Sequence, residues 1–241
     1  MARILKNTLL AALVTVVAGA AVYVLTDDGG RTSSTGAPVR PAPAGSTPAS
    51  GSAPASPSAP PAPVVAYLGD DWTSGRGASS PAKRFTTLLA KKLKVQERNF
   101  GEPGTGYAKS SGQHGPYRSR IDAIAAVHPE AVVVSGGRND VRGDPAAAVT
   151  QARKLFPRLR ARLPHATLIA VTPFWGDSNP PVALVAIAQA VKQGVTAAGG
   201  VYLDVPDPIR GHPKYMRTAA DPNDRGYAAI AAALLKKLKP N

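Results

Sequence analysis

The side chains able to do chemistry gather in four short segments. They are Gly69-Asp70-Asp71-Trp72-Thr73-Ser74-Gly75, Asn99-Phe100-Gly101-Glu102-Pro103-Gly104-Thr105-Gly106-Tyr107, Gly136-Gly137-Arg138-Asn139-Asp140 and Asp221-Pro222-Asn223-Asp224-Arg225-Gly226-Tyr227. Carboxylates recur in them, and carboxylates serve proton transfer or a hard cation. The segments lack metal-ligand spacing, so neither a metal nor a cofactor is expected. The chain has no cysteine, which excludes a disulfide framework, a thiolate zinc site and a cysteine nucleophile. Histidine is scarce: His114, His128, His165 and His212 are the whole supply, too few for a dedicated multi-histidine centre.

The elements that must position these segments follow from the apolar pattern after Val64. Strands are predicted at Val64–Leu68, Val95–Asn99, Ala131–Ser135, Thr167–Thr172 and Val201–Asp204. Helices are predicted over 81–93, 117–127, 144–163, 181–198 and 223–239. Pro180-Pro181 opens the fourth helix and Gly199-Gly200 follows it, the usual asymmetry of helix ends. Lys236, Lys237 and Lys239 suit the negative end of the last helix. Several strands are continuously apolar, as strands buried on both faces are. The expected fold is therefore α/β, a single doubly wound domain with a five-stranded parallel sheet between helix layers. In such folds the functional loops lie at the carboxyl ends of the strands, and all four segments fall in those loops or just before the last helix.

In that order and setting, the segments resemble the SGNH (GDSL-type) hydrolase family across the whole domain from Val64. The family carries G-D-S after strand one, a glycine block after strand two, G-x-N-D after strand three and D-x-x-H before the last helix. Gly137-Arg138-Asn139-Asp140 matches the third block, and Gly104, in a run beginning at Asn99, matches the second. Pro222-Asn223-Asp224-Arg225-Gly226-Tyr227 is similar to the P-N-x-x-G-Y run that follows the family's catalytic histidine. The resemblance implies a three-layer, flavodoxin-like SGNH fold and ester hydrolysis. It also implies an oxyanion hole formed by the Gly104 N–H and the Asn139 amide.

The departures from the family pattern fall on the chemistry. Asp71 stands at the nucleophile position, Asp221 at the histidine position and Thr218 at the acid position. A serine triad needs a hydroxyl, an imidazole to take its proton and a carboxylate to orient the ring. Asp71 and Asp221 supply neither of the first two, and a retained oxyanion hole alone sustains little rate. Two carboxylates at normally bonded positions also repel, so the pair shares a proton or recruits a cation. Arg138, beside the oxyanion hole, is expected to pair with Asp71, or else to bind a substrate anion. Ser74 and His212 are the possible surrogates for nucleophile and base, although each also reads as an ordinary turn or loop residue. Trp72 and Trp175 are candidates for a substrate-pocket wall or for plain packing.

The remaining sequence bears on location. Arg3 and Lys6 precede an uncharged apolar run from Thr8 to Leu25, followed by Asp27 and Asp28. Eighteen helical residues rise about 27 Å, enough for a hydrocarbon core. Residues 1–26 are therefore expected to be a transmembrane signal-anchor with the C-terminal domain outside the cytoplasm. The alternative is a signal peptide cleaved near Ala18-Gly19-Ala20, which would leave a secreted protein. Residues 27–63, rich in Pro, Ala, Ser and Gly, read as a disordered linker, with a reach of about 115 Å at ~3.1 Å per residue. The domain proper spans 64–241. The whole chain carries +14; without Arg3, Lys6, Arg31, Arg40, Asp27 and Asp28 there remain 25 basic and 13 acidic side chains, a net +12. Outside the cytoplasm that charge points to an anionic or ester-bearing envelope molecule and not to nucleic acid, for which no motif exists. A monomer is expected.

Overall fold

Each apolar run becomes one strand of a single sheet, and every pairing is parallel. The computed structural model describes residues 61–176 and 178–238, so the expected membrane run and residues 27–60 of the expected linker lie outside the described residues. In chain order the elements are β1 (Val64–Gly69), α1 (Asp71–Ser74), α2 (Phe85–Leu93), β2 (Gln96–Gly101) and α3 (Ile121–Ala125). There follow β3 (Ala131–Val134), α4 (Arg138–Val141), α5 (Pro145–Arg162), β4 (Thr167–Val171), α6 (Val182–Ala197), β5 (Val201–Leu203) and α7 (Asp224–Leu238). The strand order is β2-β1-β3-β4-β5. Among the described residues no helix is long and apolar enough to cross a membrane.

The strands β1, β3 and β4 are largely apolar because both faces are covered. Ala66, Leu68, Val132, Val134, Leu168 and Ala170 point into a layer closed by α3, α5 and α6. Their alternating neighbours, Val65, Tyr67, Val133, Ile169 and Val171, meet α2 and α7 on the other side. The chain runs from β1 to one side for β2 and then to the other side for β3. That reversal parts the loops after β1 and β3 and opens a crevice at the strands' carboxyl ends. Asp71 and Asn139 lie on the short helices α1 and α4 that follow those two strands.

Two predicted helices are shorter and less regular than the pattern suggests. Over 81–93, a 3-10 turn at Pro81–Lys83 stops at Arg84, whose backbone is extended (φ −69°, ψ 150°), and α2 starts afresh at Phe85. Arg84 spends its side chain on Glu97 (3.3 Å) and Thr87 (3.0 Å), and so ties the start of α2 to β2. Over 117–127, a 3-10 segment Tyr117–Arg120 leads into the brief α3. Strand β2 begins at Gln96 rather than Val95 and stays half-exposed, as an edge strand does.

Candidate functional site

The site begins where β1 ends. Asp70 is 2% exposed and accepts hydrogen bonds from the Trp72 N–H (3.2 Å) and the Gly137 N–H (3.3 Å), so it pins the loops after β1 and β3 together. Burial, reinforced by the neighbouring Asp71 charge, pushes its carboxyl up to about 7. Asp140, fully buried, does similar work across the crevice. It accepts from the N–H groups of Tyr107 (2.8 Å), Ala108 (2.9 Å) and Lys109 (3.1 Å), and so shapes the glycine-block loop. Burial raises its carboxyl above the ordinary range against the pull of those bonds.

Asp71 projects into the crevice that these bonds define. Its Oδ2 accepts from the Asn139 side-chain amide at 2.6 Å and from the Gly104 N–H at 3.0 Å. The Asn139 amide also donates to the Thr105 carbonyl (2.9 Å), which holds its orientation. The two groups implied by the family resemblance as oxyanion donors thus converge on one oxygen, and that oxygen belongs to the chain itself. Oδ1 accepts from the Arg76 guanidinium at 2.9 Å. Burial pushes the Asp71 carboxyl up, but the bonds from Asn139, Gly104 and Arg76 outweigh it and hold the group below its ordinary range. Asp71 is therefore ionised at neutral pH.

Arg76 also reaches Asp221. Its Nε lies 3.4 Å from Asp221 Oδ2, and the Thr218 hydroxyl donates to the same oxygen at 3.2 Å. Thr218, Asp221, Arg76, Asp71 and Asn139 form one polar chain across the crevice. A guanidinium bridges the two carboxylates, the position a hard cation would need. Among the described residues no group of three or more His, Cys, Asp and Glu side chains converges on a point.

The pairing anticipated for Arg138 is corrected by this arrangement: the cation on Asp71 is Arg76. Arg138 instead donates to the Ala220 carbonyl at 2.5 Å, with its guanidinium 4.8 Å from the Trp72 ring centroid and 5.1 Å from that of Trp175. Burial lowers its pKa, but a guanidinium remains charged at any relevant pH. Trp72 is 3% exposed, donates its indole N–H to Ala220 O (2.9 Å) and stacks on Phe174. Trp175 is half-buried, and its backbone N–H donates to Asp207 (2.7 Å). The Ser74 hydroxyl donates to the Asp71 backbone carbonyl (2.8 Å). His212 is exposed and stacks on Tyr215, away from this chain of contacts.

Two residues of the site escaped sequence reasoning. Arg76 sits between Gly75 and Gly77, whose φ of +88° and +91° turn the backbone sharply enough to bring the side chain back over Asp71. A cation flanked by glycines just past a key position was the available signal. Arg120 is the other: it donates to the carbonyls of Gly69 (3.1 Å) and Phe100 (3.0 Å), and so ties the ends of β1 and β2 beneath the site. Nothing in its local sequence marks it.

Comparison with known proteins fits this geometry. The profile of the GDSL-like Lipase/Acylhydrolase family matches residues 67–229. The GDSL lipase Rv0518 of Mycobacterium tuberculosis is 28% identical over 183 residues, covering 69% of this chain and 78% of that protein. A lipase/acylhydrolase from Enterococcus faecalis superposes with a TM-score of 0.58 at 17% identity, covering 74% of this chain and 98% of its own. A family two carbohydrate esterase from Clostridium thermocellum, in complex with cellohexaose, gives 0.60 at 17% identity, with 76% and 66% covered. At these identities the structural likenesses carry the fold.

Proposed function

From the premise that the chain belongs to the GDSL-like lipase/acylhydrolase family, we propose that it is a catalytically silent member. On this reading it is exported, held at the membrane by its N-terminal run, and binds an acylated or anionic component of the cell envelope. The observation that carries the reading is the position of Asp71 Oδ2, which already accepts from Gly104 and Asn139. A substrate carbonyl would have to displace an ionised carboxylate from charge-assisted bonds, which are stronger than the neutral ones it would gain. No hydroxyl stands at the nucleophile position. The group between positions 71 and 221 is a guanidinium, which cannot accept a proton.

A second reading rests on the retained convergence of Gly104 and Asn139: an active esterase or acyltransferase with a rebuilt site, using Ser74 or His212. One experiment separates the two. Full-length protein is assayed on short-chain aryl esters and probed with a serine-reactive fluorophosphonate. The expected outcome is no hydrolysis above buffer and no labelling. Turnover abolished by Ser74→Ala, with label on that residue, would establish the enzyme instead.

A further inference from the structure

Behind Asp221 the surface folds into a recess of about 320 Å³ whose lining includes Gly77, Lys214, Arg217, Asn223, Asp224 and Arg225. Three of these are cations, and among the described residues none of the three is in an ion pair. The one carboxylate, Asp224, is occupied elsewhere: it accepts from the Ser79 N–H (2.8 Å) and the Ser79 hydroxyl (2.6 Å). Those bonds hold it below the ordinary carboxylate range, so it stays a fixed anion beside an excess of positive charge. The 15-residue α7 begins at Asp224 and turns its positive end to the same place. Its first N–H groups are already used, since Asn223 Oδ1 accepts from Arg225 (3.0 Å) and Gly226 (3.2 Å). Any ligand is therefore left to the side-chain cations.

A concave surface with an excess of one sign of charge concentrates the opposite ion, and here three cations outnumber the one carboxylate. Two guanidinium forks and an ammonium present many donors and no acceptor, a set that suits a phosphate's several oxygens. We propose that this recess is a phosphate-binding subsite, seating a phosphate group of an envelope molecule. The proposal rests on the reading of the domain as a binder and sharpens its ligand class. The recess also shares a wall with the family site. The Arg217 N–H donates to the Asp221 carbonyl (2.8 Å), and a Cβ on Gly77 would lie 2.9 Å from Asp221 Cβ and 2.4 Å from Pro222 O. A ligand held by Arg217 is thus anchored on the loop that carries Asp221.

The test uses full-length protein in neutral detergent at low salt, titrated calorimetrically with inorganic phosphate. Saturable binding is expected, weakened about tenfold or more in Arg217→Gln/Arg225→Gln, because charge-assisted bonds are lost. The control pair Lys91→Gln/Lys92→Gln removes the same net charge from the end of α2 and should change affinity less than about twofold. Asn223 and Asp224 are left intact to keep the start of α7, and unchanged far-ultraviolet circular dichroism certifies both variants. Glycerol 3-phosphate and dihexanoylphosphatidylglycerol then distinguish a soluble phosphate from a lipid headgroup, and binding of either supports the subsite. No phosphate binding by the wild type, or an equal loss in the control pair, overturns it. If phosphate fails to bind while the protein also fails to hydrolyse esters, the recess falls and the silent-domain reading stands. Ester hydrolysis with phosphate binding intact removes that reading alone.

Discussion

At the scale of single residues, the proposed silence turns on the carboxylate of Asp71. Its Oδ2 accepts from Gly104 and Asn139, the donors that the family resemblance implies for a reaction intermediate, and Arg76 neutralises the carboxylate. Restoring a triad with Asp71→Ser, Thr218→Asp and Asp221→His should therefore not suffice, because Arg76 lies between positions 71 and 221. Adding Arg76→Ala should raise the aryl-ester rate about a hundredfold or more above the triple variant, the scale of general-base catalysis. Equal rates for the triple and quadruple variants would show that Arg76 blocks nothing. Asp70 yields a second prediction, on pH. Its carboxyl has the ordinary value of 3.8 when free and about 7 when folded. Between those values the unfolded chain has lost a proton that the folded chain keeps, so this group's contribution to stability falls as pH rises through the window and is level above it. Asp71, held low, contributes in the opposite sense: its stabilisation is present at neutral pH and lost as pH drops through its folded value. A carbon-13 titration should find the Asp70 midpoint near neutrality in the wild type and lower in Asp71→Ser, where the adjacent charge is gone. A wild-type midpoint near 4 would contradict the buried-acid account.

At the scale of elements, the helix layers were legible where periodicity and end signals agreed. The run predicted over 181–198 forms α6 at Val182–Ala197, because Pro181 and Gly199 punctuate it. The run over 81–93 misled because it reads as one helix while Arg84, engaged with Glu97 on β2, is extended. Packing between α5 and α6 depends on Gly194, whose added Cβ would fall 2.8 Å from Ala152 O and 3.0 Å from Arg153 Cα. Alanine ordinarily favours a helix over glycine by roughly 1 kcal/mol. Here the backbone clash should win, and Gly194→Ala should destabilise by about 1–3 kcal/mol in chemical denaturation. A more stable variant would mean that the two helices separate at little cost.

At the scale of the whole molecule, the net +12 from Val64 onward and the sixty-three residues before it bear on where the domain works. The apolar run at Thr8–Leu25 predicts full-mass protein in the membrane fraction, released by detergent and retained in high salt. A soluble species beginning just after Ala20 would favour the secreted alternative. The charge is unevenly used. Arg160 donates to the carbonyls of Ala198, Leu163, Pro164 and Ala166, and Arg162 pairs with Asp122 at 2.8 Å. Lys214, Arg217 and Arg225, by contrast, surround a recess.

By itself the sequence determined the sheet and the order of the four loop segments, and it set Asp71, Thr218 and Asp221 among them. Continuous apolar strands report burial on both faces, and motif spacing reports which loops share a strand end. Tertiary structure alone decided which guanidinium meets Asp71. Arg76 follows it closely in the chain and Arg138 lies in a distant segment whose loop gathers at the same strand ends, but only the turn at Gly75 and Gly77 brings Arg76 back over the carboxylate, while the rings of Trp72 and Trp175 hold Arg138. The same holds for the recess, whose Lys214, Arg217 and Arg225 face Gly77 and Ser79 from more than 130 positions away. Such contacts depend on how the loops close over the sheet, and no local pattern encodes that.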